Sequence, residues 1–315
     1  MRLHLDKEAF ALIIENISSK HSIRRDILEK DYYVTLLLKE LSEKDNQLFA
    51  YFKGGTALYK ALKSIRRFSE DIDLTVFIGN CSTTNQAKKR LEAATLKYTY
   101  LTRGEILERR KGTITCEYLY DSLFTLDETD ILQRFGRVKV EATNFTISEP
   151  LELISIAPHL YELATDEQKK ILADSYEVAP FEIETISLER IFIDKVFAAQ
   201  FYYERKMFRD VAKHIYDLTV LLNKKKIQEF LKEKDRFLYT VSLKRKEELN
   251  RKGGINSQIE VSDFPYLTEL HNDQAFEKEF KEMQKIYVFN KNDIISKDAA
   301  IKAISSLKEI MNFNM

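Results

Sequence analysis

The sequence predicts an α+β chain, with a mixed sheet in its N-terminal part and a helical bundle after it. Three observations carry this. Segments with strand-like alternation, rich in β-branched and aromatic residues, lie in the first half. From about Ile183 apolar residues recur at helical spacing. Four prolines and eight glycines punctuate 315 residues, so helices should be many and long loops few. The length allows two domains, expected at 1–183 and 184–315.

Fifty basic and fifty acidic residues cancel, so the whole chain has no bulk field to draw in nucleic acid, and any basic patch must be local. Cys81 and Cys116 are far apart and read as buried thiols in a reducing compartment. The opening MRLHLDKEAF carries charges throughout, unlike a signal peptide. No apolar run approaches the ~18 residues of a membrane helix. The expected location is the cytoplasm, with no membrane partner.

Asp6 is placed to cap a first helix, with Phe10, Ile13, Ile14 and Ile17 on one face. Ser22 would cap a second, running to about Ser42. Its Glu29-Lys30-Asp31 reads, by itself, as a solvated charge cluster. Lys53 to Phe77 then organises the rest. Lys53-Gly54-Gly55-Thr56 holds the only adjacent glycine pair before the C-terminal quarter. Glycine lets the backbone approach a ligand without a Cβ between them. The expected helix, Ala57 to Ser64, points its free N–H groups and positive dipole end at that turn, as a phosphate site requires. Asp71-Ile72-Asp73 opens an alternating run with Ile72, Leu74 and Val76 on one face, so Asp71 and Asp73 share the other. Two carboxylates on one face repel, and Mg²⁺, or Mn²⁺ in its place, offsets that while taking substrate phosphates as further ligands. Phosphate cradle and metal-binding carboxylate pair together are machinery for nucleotidyl transfer.

Residues 83 to 97 suit a helix. Strands are expected around Tyr98 to Leu107 and Thr113 to Tyr120, joined by the basic turn Arg109-Arg110-Lys111-Gly112, and again over Gly136 to Phe145. Pro150, Pro158 and Pro180 punctuate a stretch whose pattern assigns no element. Ser187 would cap a helix over 187–204 that contains Lys195, and Phe208 to Leu222 forms the next. Asp210, His214 and Asp217 fall on one face of it, away from Val211, Ile215 and Leu218. Residues 223–252 carry eleven basic side chains against five acidic ones, interleaved with Phe230, Phe237 and Tyr239. They read either as an RNA-binding face or as a solvated surface. The pair Gly253-Gly254 lacks an acidic partner strand and reads as a loop, followed by helices near Asp273 to Val288 and Lys297 to Asn312.

Gly54-Gly55-Thr56, Lys60 four residues on, and Arg67-Phe68-Ser69-Glu70-Asp71-Ile72-Asp73-Leu74 resemble the AbiEii/AbiGii toxin branch of the nucleotidyltransferases, within the polymerase-β-like superfamily. Asp194-Lys195, Ala198-Ala199, Arg205, Arg209-Asp210 and Asp217-Leu218 are similar to that family's second signature. Glu29-Lys30-Asp31 looks like a segment common in the family and is read as scaffold. The resemblance implies a polymerase-β-like domain, with Lys53, Gly54, Gly55, Thr56, Lys60 and Arg209 at the nucleotide. It makes Lys195 a lysine that contacts the triphosphate, and Asp210 or Asp217 the second functional acid. Such enzymes carry a third metal-binding carboxylate on a neighbouring strand. Glu141 is the candidate and Glu117 its competitor.

The expected function is Mg²⁺-dependent transfer of a nucleoside monophosphate from an NTP, in a cleft between the two domains. The resemblance implies an RNA acceptor, such as a tRNA 3′ end, a toxin role and a cognate antitoxin. Two other readings stand beside it: a catalytically inactive nucleotide-binding or interaction module, and a nucleotidyltransferase acting on a protein or small molecule.

Overall fold

The computed structural model describes all residues except 45–47, 65, 125–134, 252, 256–258 and 315, and the side chains of 313 and 314. The chain divides into two compact units, Met1–Thr185 and Ile186–Met315.

The first unit is built on strands β1 (Ala50–Lys53), β2 (Ile72–Val76), β3 (Thr102–Arg110), β4 (Thr113–Leu119), β5 (Arg137–Thr143), β6 (Leu151–Ile156) and β7 (Phe181–Ile186). They form one sheet in the order β3-β4-β5-β2-β1-β7-β6. It is mixed: β2 runs parallel to β5 and antiparallel to β1, and β4 runs antiparallel to both β3 and β5. The alternation read in β2 is realised, with Ile72, Leu74 and Val76 fully buried and Asp71 and Asp73 partly exposed. On β5, Val138, Val140 and Ala142 are likewise buried.

Six helices complete this unit: α1 (Lys7–His21), α2 (Arg25–Glu43), α3 (Gly54–Ala61), α4 (Thr84–Leu96), α5 (His159–Glu162) and α6 (Asp166–Tyr176). The Asp6 side chain accepts from the Ala9 N–H, as an N-cap does. Ser22 does not cap α2. It takes a left-handed conformation at the C-terminal end of α1, and α2 begins at Arg25 without a side-chain cap. The unassigned stretch resolves into β6, α5, α6 and β7. The change to helix at Ile183 is corrected too: β7 runs through Ile186 with Phe181 and Ile183 buried in alternation, and only Ile183 and Ile186, three apart, mimic helical spacing.

The second unit is helical: α7 (Leu188–Glu204), α8 (Phe208–Leu222), α9 (Lys225–Phe230), α10 (Lys234–Asn250), α11 (Tyr266–Glu269), α12 (Gln274–Tyr287) and α13 (Lys297–Asn314). The Ser187 hydroxyl accepts from the Arg190 N–H and starts α7, and the Asp273 carboxylate does the same for α12. Phe192, Val196, Val211, Ile215, Leu218, Phe276, Phe280 and Leu307 are buried in its core. Buried charges are balanced internally: Arg190 pairs with Asp194 at 3.0 Å and with Glu247 at 2.7 Å. Lys244 pairs with Glu248 at 2.9 Å.

Candidate active site

The sheet register sets the site. Lys53 at the end of β1 is opposite Asp73 on β2, and Asp73 is opposite Glu141 on β5. Directly paired residues on neighbouring strands project to the same face. A cation and two carboxylates therefore stand in one row across three strands, with Asp71 two residues before Asp73. Glu117, the competing third acid, is spent elsewhere: its carboxylate accepts from the Arg137 guanidinium at 3.0 Å and is 9% exposed.

The helix begins at Gly54 and not at the expected Ala57, so the glycine pair is the first turn of α3 itself, and that turn packs directly on this row. Gly54 has φ +80°, and a Cβ there would overlap the Oδ2 atom of Asp73. A Cβ on Gly55 would press on the Ser69 hydroxyl and the Arg67 guanidinium. The glycines are thus required by the close approach of the acidic strand and its lead-in. The Thr56 hydroxyl donates to the Asp71 carbonyl at 2.6 Å, fixing the backbone that carries the first acid. The N-cap of α3 is Lys53, which makes no side-chain cap hydrogen bond, and the positive end of the helix dipole lies at this first turn.

These contacts set an expectation for Gly54→Ala. The new methyl must displace the Asp73 carboxylate, and the backbone is strained at positive φ. Any transfer activity should fall at least about 100-fold, and stability by about 1–3 kcal/mol. Denaturant midpoints and turnover measured on the same preparation check both. Near wild-type turnover would show that the position of Asp73 does not matter.

Among the described residues, no three acidic, imidazole or thiol side chains are grouped closely enough to hold a metal ion. A magnesium ion that completes its octahedron with triphosphate oxygens and water needs only one or two carboxylates. Asp71 and Asp73, with Glu141 alongside in register, fit that requirement through the chemistry of their donors.

Lys60 is not open to a nucleotide, contrary to expectation. It is 2% exposed, pairs with Asp31 at 2.7 Å and donates to the Ala157 carbonyl at 3.0 Å. Asp31 also accepts from the His159 backbone N–H at 2.7 Å. Burial pushes the Asp31 carboxyl up, but the His159 and Lys60 charges outweigh it and bring the group below its ordinary value. Glu29-Lys30-Asp31 is therefore not a solvated cluster. All three are buried. The available signal was their place in a helix whose other residues over Ile27–Leu38 are apolar or aromatic apart from Thr35.

In the second unit, Lys195 and Asp217 form a buried ion pair at 2.8 Å, with side chains 9% and 0% exposed. Asp217 therefore does not face water, although its helix position allowed it. Asp210 pairs locally with Lys213 at 3.1 Å, and Arg209 is exposed with its Nε 4.0 Å from Glu279. His214 stacks on Tyr202.

The basic stretch forms α9 and α10. Phe230 and Phe237 are buried rather than interleaved on a surface, while Tyr239 is exposed. Part of its charge is neutralised: Glu189 takes Arg236 at 2.6 Å and Lys226 at 3.5 Å, and Lys244 is buried among acids. Lys252 lies outside the described residues.

Known proteins resemble this chain at the level of family. The family model described as "Nucleotidyl transferase AbiEii toxin, Type IV TA system" matches residues 36–305. No curated protein matches the chain. Among solved structures, it is similar to MenT4, the nucleotidyltransferase toxin Rv2826c from Mycobacterium tuberculosis H37Rv, at 14% identity and a TM-score of 0.44, over 95% of this chain and 94% of that one. It is also similar to a protein from H. pylori described as a nucleotidyltransferase, at 14% identity and a TM-score of 0.36, over 92% of this chain and 96% of that one. With most of its length matched by the family model, the chain belongs to the AbiEii family of nucleotidyltransferase toxins.

Proposed function

We propose that the protein transfers a nucleoside monophosphate from an NTP to an RNA acceptor, a tRNA 3′ end being the form the family resemblance implies. In the reaction the acceptor hydroxyl attacks the α-phosphorus, the bond to the bridging oxygen breaks, and pyrophosphate leaves. The observation that carries this reading is the row Lys53–Asp73–Glu141 beside Asp71, packed against the Gly54-Gly55-Thr56 turn. Asp71 and Asp73 would hold Mg²⁺ or Mn²⁺, with Glu141 as the third carboxylate. When bound, the ion polarises the phosphates and neutralises charge on the departing pyrophosphate. The first-turn amides of α3 receive phosphate oxygens, and Lys53 adds a positive charge beside them. Thr56 keeps the Asp71 backbone in place through its carbonyl. In the second unit Lys195 is proposed as the further phosphate-directed cation, with Asp217 orienting it. Arg209 and Asp210 lie nearer solvent as further contacts. The biological role proposed is that of a cytoplasmic toxin held in check by a cognate antitoxin.

Incubation with each α-labelled NTP, Mg²⁺ and total RNA tests the reaction. Label should enter RNA and depend on divalent metal. Label in protein or a small molecule would replace the acceptor assignment. No label with any of the four nucleotides would favour a catalytically inactive binding module.

A further inference from the structure

Three consecutive charged residues of α2 are buried, and each ties down a different segment of the first unit. Glu29 accepts from the Leu123 N–H at 2.7 Å and the Ser122 hydroxyl at 2.6 Å. Asp31 holds Lys60 of α3 and the start of α5. Lys30, between them, is 1% exposed. Its ammonium donates to the carbonyl of Arg137, the first residue of β5, and lies 3.7 Å from Glu70 Oε2. Glu70 directly precedes Asp71, the first acid of the centre.

An ammonium taken out of water costs several kcal/mol unless opposite charge and hydrogen bonds offset the loss. Here the offset comes from the two acids that lead into β2 and from the end of the strand that carries Glu141. Burial pulls the Lys30 pKa down, and Glu70 and Asp71 pull it back up. In the nucleotide-free protein, then, a lysine already balances part of the acidic charge that a metal ion would balance.

We propose that Lys30 is the resident counter-charge of the acidic centre. It positions the Glu70-Asp71 segment and the start of β5, and it holds back a free divalent ion until a triphosphate brings further negative charge. The inference rests on the metal reading above and goes beyond it, because it makes metal entry depend on nucleotide. A positive charge facing the carboxylates lowers their affinity for a second cation. Four added phosphate charges reverse that balance.

The test is Mn²⁺ titration of the nucleotide-free full-length protein, followed by the electron paramagnetic resonance signal of free Mn²⁺, with folding checked by circular dichroism. Lys30→Met keeps the length of the side chain and removes its charge. It should tighten Mn²⁺ binding by about tenfold or more. A lysine with only a scaffold role predicts unchanged or weaker binding on its removal. Unchanged or weaker binding in folded Lys30→Met, with Asp71→Ala abolishing binding, would overturn the counter-charge and leave the metal reading standing. Should Lys30→Met not fold, Glu70→Gln decides. The Lys30 charge is then no longer offset by Glu70, and affinity should fall by about tenfold; an unchanged affinity overturns the proposal. Mn²⁺ binding indifferent to Asp71→Ala would overturn the metal reading and the counter-charge together.

Discussion

Asp71→Ala and Asp73→Ala should each lower nucleotidyl transfer at least about 10³-fold, the scale on which removing a group that stabilises transition-state charge acts. Stability should move far less. Thr56 is anchored to the carbonyl of Asp71 rather than to its carboxylate, and alanine keeps that carbonyl. Lys30 retains Glu70 as a partner. Asp73 is partly exposed, between the buried and apolar Ile72 and Leu74 on β2. Truncating it removes negative charge that repels Glu141 and Asp71. Denaturant midpoints within about 1 kcal/mol of wild type, beside a collapsed turnover, would separate a metal role from a folding role. A variant that keeps turnover within about tenfold of wild type would remove that aspartate from the metal site.

Lys195→Ala should behave differently, because its first effect is on stability. Its ammonium is the partner of Asp217, whose side chain has no exposure. Breaking a buried pair from one side leaves a charge in the interior and costs about 3–5 kcal/mol. For a unit of this size that corresponds to a fall in melting temperature of roughly 10 °C or more. Adding Asp217→Asn should recover much of the loss, since a neutral amide tolerates burial better than a carboxylate that has lost its lysine. Loss of activity in Lys195→Ala is therefore informative only at temperatures where the variant is folded. A single variant destabilised by less than about 1 kcal/mol would mean that the other contacts of Asp217, or water, are enough to hold its charge.

The parts of the chain that could be read in advance are those whose cause is local. Asp6, Ser187 and Asp273 each accept the amide of a residue three positions on, and a helix cap is a short-range interaction that composition reveals. The alternation of β2 and β5 is written in their buried Ile, Leu, Val and Ala residues. Ser22 misled because it ends α1 in a left-handed conformation, a place that favours glycine or asparagine and that serine does not advertise. β1 gave no signal: four residues are too few for alternation to stand out.

By itself, then, the sequence determined the α+β class, the glycine pair ahead of the acidic strand, the alternation of β2, and the resemblance that the family match bears out. Tertiary structure alone decided which acid stands beside Asp73. Glu141 and Glu117 sit on strands of similar pattern, and only the pairing of β2 with β5 puts Glu141 beside Asp73 while Arg137 claims Glu117. It also decided which lysines are free. Lys30 meets a carbonyl 107 positions away, and Lys60 one 97 positions away. Periodicity reports the environment within a few turns of chain. The desolvation that turns a charged side chain from a surface group into a structural partner comes from residues far along the sequence, and only folding brings them together.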